Sequence, residues 1–142
     1  MKYFLTIIFT TILSSYAIAD HHALALEARI ATVDFSITSI DLGSDLSVIT
    51  AETDTVEYGK SYVSYHLTYN RDGNRGSYTV QARGFLDESA TVSAFGSGIW
   101  ARDGHLIVMT GTAMVSDGSL NLDKITLDPL KRTLTADIYA LN

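Results

Sequence analysis

The sequence has no cysteine and only one proline, Pro129, among its 142 residues. Without cysteine the chain forms no disulfide and has neither a thiolate metal ligand nor a cysteine nucleophile. Exported eukaryotic domains of this size often carry disulfides, whereas bacterial periplasmic proteins often do not. Together with the export signal described below, this absence indicates a bacterial protein.

Motifs of several common enzyme classes are also missing. Neither Gly-x-Ser-x-Gly nor His-Glu-x-x-His occurs in the chain. His66 and His105 fall on different predicted strands and have no evident acidic, serine or cysteine partner. We therefore expect neither nucleophilic nor zinc catalysis, and we expect no cofactor.

Residues 1–19 have the features of a cleaved signal peptide. Lys2 supplies the positive start, an apolar stretch follows, and Ala17-Ile18-Ala19 is the small-x-small pattern that signal peptidase accepts. The apolar stretch is interrupted by hydroxyl side chains and is too short for a membrane anchor. We therefore expect export to the periplasm or beyond, and a mature chain, residues 20–142, that forms one domain.

Positive charge is also scarce. The chain carries 10 Lys and Arg against 16 Asp and Glu, a formal charge of −6, which becomes −7 once Lys2 is removed. Nucleic acids and anionic membrane surfaces would repel such a domain, so neither is an expected partner, and no stable membrane insertion is expected.

What the mature chain does contain is a series of short alternating strands. Residues 60–115 predict four of them, and more strands precede and follow. Asp72-Gly73, Asp103-Gly104 and Asp117-Gly118 predict two-residue hairpin turns, because glycine accepts the positive φ of such turns. About eight antiparallel strands joined by tight turns predict an all-β, up-and-down meander that closes into a small barrel.

This outline is similar to that of lipocalin-like and other calycin-type barrels. The similarity is one of architecture, because lipocalins tend to carry a Gly-x-Trp near the start of the first strand. Here the single tryptophan, Trp100, lies in the middle of the chain. Function does not follow from a shared architecture.

Strand alternation predicts which side chains face the barrel interior. Pairing across Asp72-Gly73 places one mainly apolar face inside, provided that the 87–89 loop has an odd number of residues. Inward glycines on this face predict free volume, and the opposite face is mainly hydroxylated and polar. The expected ligand-binding residues border that volume: Tyr65, Tyr69, Tyr78, Trp100 and Met109. The alternative is that these side chains simply fill the barrel.

Two carboxylates form a candidate catalytic pair. The same register, carried back across Gly59-Lys60, points Val56, Asp54 and Glu52 inward, with Asp54 opposite Tyr65. Carboxyl groups in an apolar interior have raised pKa values and act as acids or bases. The alternative is that this strand turns its carboxylates outward or holds them at the rim, because unpaired buried carboxylates are costly.

A candidate metal site begins the mature chain. After cleavage, the free amine, two backbone amides and the imidazole of the third residue of Asp20-His21-His22 offer a square-planar site for Cu(II) or Ni(II). The alternative is a frayed polar terminus.

The favoured function is an exported, non-enzymatic barrel that binds a small apolar or amphipathic molecule in its interior. One alternative is an isomerase or cyclase that uses Glu52 or Asp54 with Tyr65. The others are a small outer-membrane barrel, which shares the alternation and the export signal, and a structural module with a filled core.

The signal peptide can be tested directly. We expect the protein from the periplasmic fraction of its host to begin at Asp20 and to need no detergent for recovery. Intact-mass spectrometry checks the first residue, and an Ala17→Lys variant, which spoils the cleavage pattern, should keep residues 1–19. An unprocessed protein that only detergent releases would contradict this expectation.

Overall fold

A computed structural model describes residues 26–141. The predicted signal peptide and the Asp20-His21-His22 motif lie outside these residues. Within them there is no helix that is long and apolar enough to cross a membrane. The structure consists of β1 (Glu27–Ala28), β2 (Val33–Asp41), β3 (Leu46–Thr55), β4 (Gly59–Thr68), β5 (Arg75–Phe85), β6 (Thr91–Asp103), β7 (Leu106–Val115), β8 (Leu120–Asp128) and β9 (Thr133–Ala140).

The strands β2 to β9 form a closed antiparallel barrel. Each strand pairs with the next along the chain, and β9 returns to pair with β2. The short β1 adds a ninth strand against the far end of β9, where Glu27 pairs with Ala140. The predicted all-β barrel of about eight strands is therefore confirmed, with one extra strand.

The loops divide unequally between the two ends of the barrel. We call the end with the β3–β4, β5–β6 and β7–β8 loops the upper end, and the opposite end the lower end. Each upper loop has three residues, at 56–58, 87–89 and 116–118, between paired backbone positions. Because side chains alternate with a period of two, an odd loop length decides which residues of the next strand face inward.

The predicted odd length of the 87–89 loop is confirmed. Leu86 N donates to Ala90 O across it, and Trp100 pairs with Met109 further along. Both of these side chains are buried, as is Tyr65 on β4. The predicted inward faces of β4 to β7 are therefore correct.

The predicted faces of β3 and β8 are wrong. Thr55 pairs with Gly59, so the turn begins at Val56 and not at Gly59-Lys60. This register turns Val56, Asp54 and Glu52 outward, which is the alternative considered for these carboxylates, and Val56 is 98% exposed.

The face of β8 was predicted wrongly for the same reason, a wrong position or length of the preceding turn. Val115 N donates to Ser119 O around a three-residue loop, whereas a two-residue Asp117-Gly118 turn was expected. The two-residue turn would have placed Leu120 and Leu122 on the inward face. Instead, Asn121 and Asp123 face inward, in line with the buried Ile125 and Leu127.

The other two turns also differ from the prediction, one in length and one in position. Asp72-Gly73 lies at the centre of a four-residue loop, because Asn70 N donates to Arg75 O. Asp103 pairs with Leu106, so the two-residue turn there is Gly104-His105. Neither change alters the faces, because both loops have an even number of residues.

The inward glycines allow close approach of neighbouring groups and do not leave free volume, contrary to the prediction. A Cβ at Gly98 would collide with the backbone oxygen of Thr110. At Gly111 it would collide with the backbone oxygen of Ser97 and would lie 2.5 Å from the Tyr78 hydroxyl. Glycine is therefore required at this pair of positions, where Gly98 of β6 faces Gly111 of β7 and the Tyr78 hydroxyl lies against Gly111.

We expect Gly111→Ala to lower the free energy of unfolding by about 1–3 kcal/mol, since the added methyl overpacks the site. Urea denaturation measures the change. The control is Thr110→Ser on the outward face of the same strand, which should change stability by less than about 0.5 kcal/mol. Equal stability of Gly111→Ala and the parent would contradict the packing described for Tyr78.

Candidate functional site

The barrel interior has a cavity of about 110 Å³ near its upper end. Its wall is mainly apolar, with a few hydroxyl, amide and carboxyl groups. The inward side chains that line it from the strands include Val33, Phe35, Thr53, Thr55, Ser61, Val63, Tyr65, Val80, Ala82, Val92, Ala94, Ala113, Val115, Asn121, Asp123, Ile125, Ala136 and Ile138. Ile30 and Tyr58 add to the wall from the segments at the mouth.

The lower half of the barrel is filled by side chains. Trp100 Nε1 donates to the Thr68 backbone oxygen at 2.8 Å, and the Tyr69 ring packs edge-on against the indole at 5.3 Å. The Tyr69 hydroxyl is 2.6 Å from the buried Ser47 hydroxyl. Met109 is fully buried in the same core. These contacts close the lower end of the interior.

Of the five predicted ligand-binding residues, Tyr65 lines the cavity. Tyr69, Trp100 and Met109 are not part of its wall and belong to the packed lower core. Tyr78 lies between the two regions, with its ring 5.9 Å from that of Tyr65. The aromatic side chains therefore mainly fill the barrel, as in the alternative considered for them.

The cavity holds a carboxylate that the sequence analysis missed. Asp123 faces inward from β8, between Gly111 of β7 and Ile138 of β9. Its Oδ1 atom is buried and has no hydrogen-bond partner among residues 26–141. Burial raises the pKa of this carboxyl group from its usual 3.8 to about 6.

The sequence did contain a signal for Asp123. Along β8, Lys124 and Thr126 are polar, whereas Ile125 and Leu127 are apolar. Alternation counted back from Ile125 places Asp123 on the inward face. A two-residue turn at Asp117-Gly118 would place Asp123 outward, whereas this alternation places it inward. The structure agrees with the alternation.

Two tyrosines share the interior with this carboxylate. Burial, and next the charge of Asp123, raise the pKa of Tyr65 far above its usual range. The same two causes raise the pKa of Tyr78 to about 12. Both phenols are therefore protonated at neutral pH and are available as hydrogen-bond donors.

A polar group lies at the mouth of the cavity. The Arg29 Nε atom donates to Asn121 Oδ1, and an Arg29 terminal nitrogen donates to the Leu120 backbone oxygen. Burial raises the pKa of the nearby Tyr58 phenol, and Arg29 and Asn121 partly oppose that shift. The segment between β1 and β2 is thereby tied across the upper end of the barrel.

The predicted catalytic residues are not brought together. Glu52 and Asp54 face outward, and Glu52 Oε1 lies 3.2 Å from Lys60 Nζ in a partly exposed ion pair. Tyr65 is buried on the opposite side of the barrel wall. Within residues 26–141 no cluster of three or more His, Asp or Glu side chains is arranged to hold a metal ion.

Comparisons with protein-family models, with curated proteins and with solved structures found no significant match to this chain.

The raised pKa of Asp123 has a consequence for stability. The folded carboxyl group binds its proton more tightly than the unfolded one, so its contribution to stability falls as pH rises from about 4 through 6. The shift corresponds to about 3 kcal/mol at most. We therefore expect Asp123→Asn to raise the free energy of unfolding by about 1–3 kcal/mol at pH 7.5.

Urea denaturation between pH 4 and 8 measures this effect as the difference between variant and parent. The difference should shrink towards pH 4, where the parent carboxyl group is protonated. Asp54→Asn, which removes the same charge from the outer face, is the control and should show a small and nearly constant difference. If the two variants gave the same pH profile, the buried position of Asp123 would be wrong.

Proposed function

We propose that this protein is an exported, non-enzymatic barrel that binds a small amphipathic molecule in its interior cavity. The observation that supports this function best is the unpartnered Asp123 Oδ1 atom inside an otherwise mainly apolar cavity. Binding sites for small molecules typically combine apolar walls with a few placed polar groups. A buried polar atom without a partner destabilises the fold unless a ligand or water satisfies it.

The size of the cavity limits the ligand. An apolar cavity of about 150 Å³ holds benzene, so the 110 Å³ cavity suits a short chain or a small branched group. The filled lower core stops the ligand from extending further down. A longer molecule would enter from the upper end and leave its remaining part beside Tyr58 and Arg29.

The distribution of polarity favours a water-soluble barrel over an outer-membrane barrel. Membrane barrels have an apolar outer band and a polar interior. Here the core is apolar, whereas much of the outer face of β4 and β5 is hydroxylated or charged. Exposed apolar exceptions lie on β5, β6 and β7: Phe85, Phe95, Ile99, Val108 and Met114. We therefore propose a periplasmic or secreted location, in agreement with the predicted signal peptide.

An enzyme built on the same cavity is the second candidate. Asp123, with its pKa raised to about 6, takes the place of Glu52 and Asp54 as the interior base, and the Tyr65 phenol is a hydrogen-bond donor in the same cavity. Such a pair suits proton transfer in an isomerisation or cyclisation. An Asp123→Asn protein that keeps its ligand but no longer converts it would support this candidate.

Native mass spectrometry of the exported protein, purified from its own host, tests ligand binding. We expect a reproducible small added mass on the parent protein. Ala113→Leu adds three carbon atoms to the cavity wall and should remove most of that mass, because the added volume takes the place of the ligand.

The matched control is Ala101→Leu, which adds the same atoms to an exposed position of β6 and should leave the bound mass unchanged. Circular dichroism would establish that both variants are folded. Repeated absence of any added mass on the parent would favour a structural module with a closed core.

A further inference from the structure

The chemical class of the ligand can be narrowed from the charges around the cavity. Asp123 is the acidic side chain of the cavity wall, and the wall residue Arg83 is exposed on β5, where it pairs with the outward Tyr62 and Ser93. Within the described chain, the interior side chains of the wall therefore include one carboxylate and no lysine or arginine. An anionic ligand would meet this carboxylate without a compensating cation.

The polar groups near Asp123 form hydrogen bonds with other partners, and its carboxylate Oδ1 atom is left without one within residues 26–141. The Ser61 hydroxyl is within hydrogen-bond distance of the backbone oxygens of Tyr58 and Gly59, at 3.3 and 3.2 Å. The Asn121 oxygen accepts from Arg29 at the mouth. Asp123 Oδ1 has no donor from the described chain. A ligand that supplies a donor, and best a charged one, would satisfy it.

The loops around the mouth supply a second and independent observation. The three upper loops, at 56–58, 87–89 and 116–118, carry Glu57, Asp87, Glu88 and Asp117 and contain no lysine or arginine. The lower loops differ, because they contain Arg71, Lys131 and Arg132 as well as Asp45 and Asp72. The upper loops therefore carry a net negative charge that attracts cations, while Arg29 is engaged there with Asn121 and Lys60 with Glu52.

We propose that the cavity binds a small organic amine, with the ammonium group on Asp123 and a short apolar group against Val63, Val80 and Ile125. This inference rests on the proposed function and specifies its ligand class. It also assigns a role to the acidic upper loops, which raise the local concentration of a cation at the mouth. Fatty acids and other carboxylate ligands are disfavoured by the same groups.

Protonation of Asp123 would make binding depend on pH. Of its neighbours in the barrel, β7 presents Gly111 and Ala113, and β9 presents Ile138 and Ala136, none of which titrates. The phenols of Tyr58, Tyr65 and Tyr78 have raised pKa values and stay neutral below pH 8. Amine affinity should therefore fall as pH decreases through about 6, where Asp123 takes up a proton.

Three probes of equal chain length test the proposal: n-butylammonium, 1-butanol and butyrate. They are titrated into the exported protein, purified from cells grown on ¹⁵N, at pH 7.5, and amide shifts of residues 63, 80 and 125 are followed by NMR. We expect n-butylammonium to bind at least about tenfold more tightly than 1-butanol and butyrate, because a charge-assisted hydrogen bond to Asp123 is added.

Variants separate the role of Asp123 from that of the cavity. Asp123→Asn should lose the tenfold preference while still binding 1-butanol, and Asp123→Ser should do the same. Asp54→Asn has the same net charge as Asp123→Asn and should keep the preference.

The outcomes distinguish the two proposals. Equal or tighter binding of butyrate, or an unchanged preference in Asp123→Asn, would overturn the amine inference and leave the binding function standing. Failure of all three probes to shift the cavity residues, together with no bound mass on the parent protein, would overturn both.

Discussion

The whole interior of this barrel depends on the number of residues in each loop. A strand has one face in the core and one face in water, and the count of residues in the preceding loop decides which side chains take which face. The three upper loops each hold three residues. One residue fewer in the 116–118 loop would place Leu120 and Leu122 inside and Asp123 in water. The inward position of the carboxylate in the cavity therefore follows from the number of residues in this loop.

The two halves of the interior have different roles because different side chains reach them. In the lower half, Trp100, Met109 and Leu67 pack into a core in which the indole nitrogen and the Tyr69 hydroxyl form hydrogen bonds. In the upper half, small residues such as Ala94, Ala113 and Ala136 leave space around Asp123. The lower half stabilises the barrel, and its stability offsets the cost of a buried carboxylate in the upper half.

Much of the fold was predictable from local pattern, and the site was predictable only in part. Alternation and turn residues identified the strands, and the inward faces of β4 to β7 followed from three correct loop parities. The inward orientation of the candidate catalytic residues Glu52 and Asp54 was wrong, because the β3–β4 turn begins at Val56 and not at Gly59. Asp-Gly pairs indicate where a turn lies, but they do not determine how many residues it contains, since several loop lengths accept glycine at a positive φ.

By itself the sequence determined the class of fold, the order of the strands and the chemistry available to the interior. These follow from side-chain periodicity and turn residues, which act between close neighbours along the chain. Only the tertiary structure decided that Trp100 fills space, that Gly111 accommodates the Tyr78 hydroxyl, and that Asp123 is left without a partner. Such facts depend on backbone registers and packing between residues distant in sequence, and closure of the barrel brings those residues together.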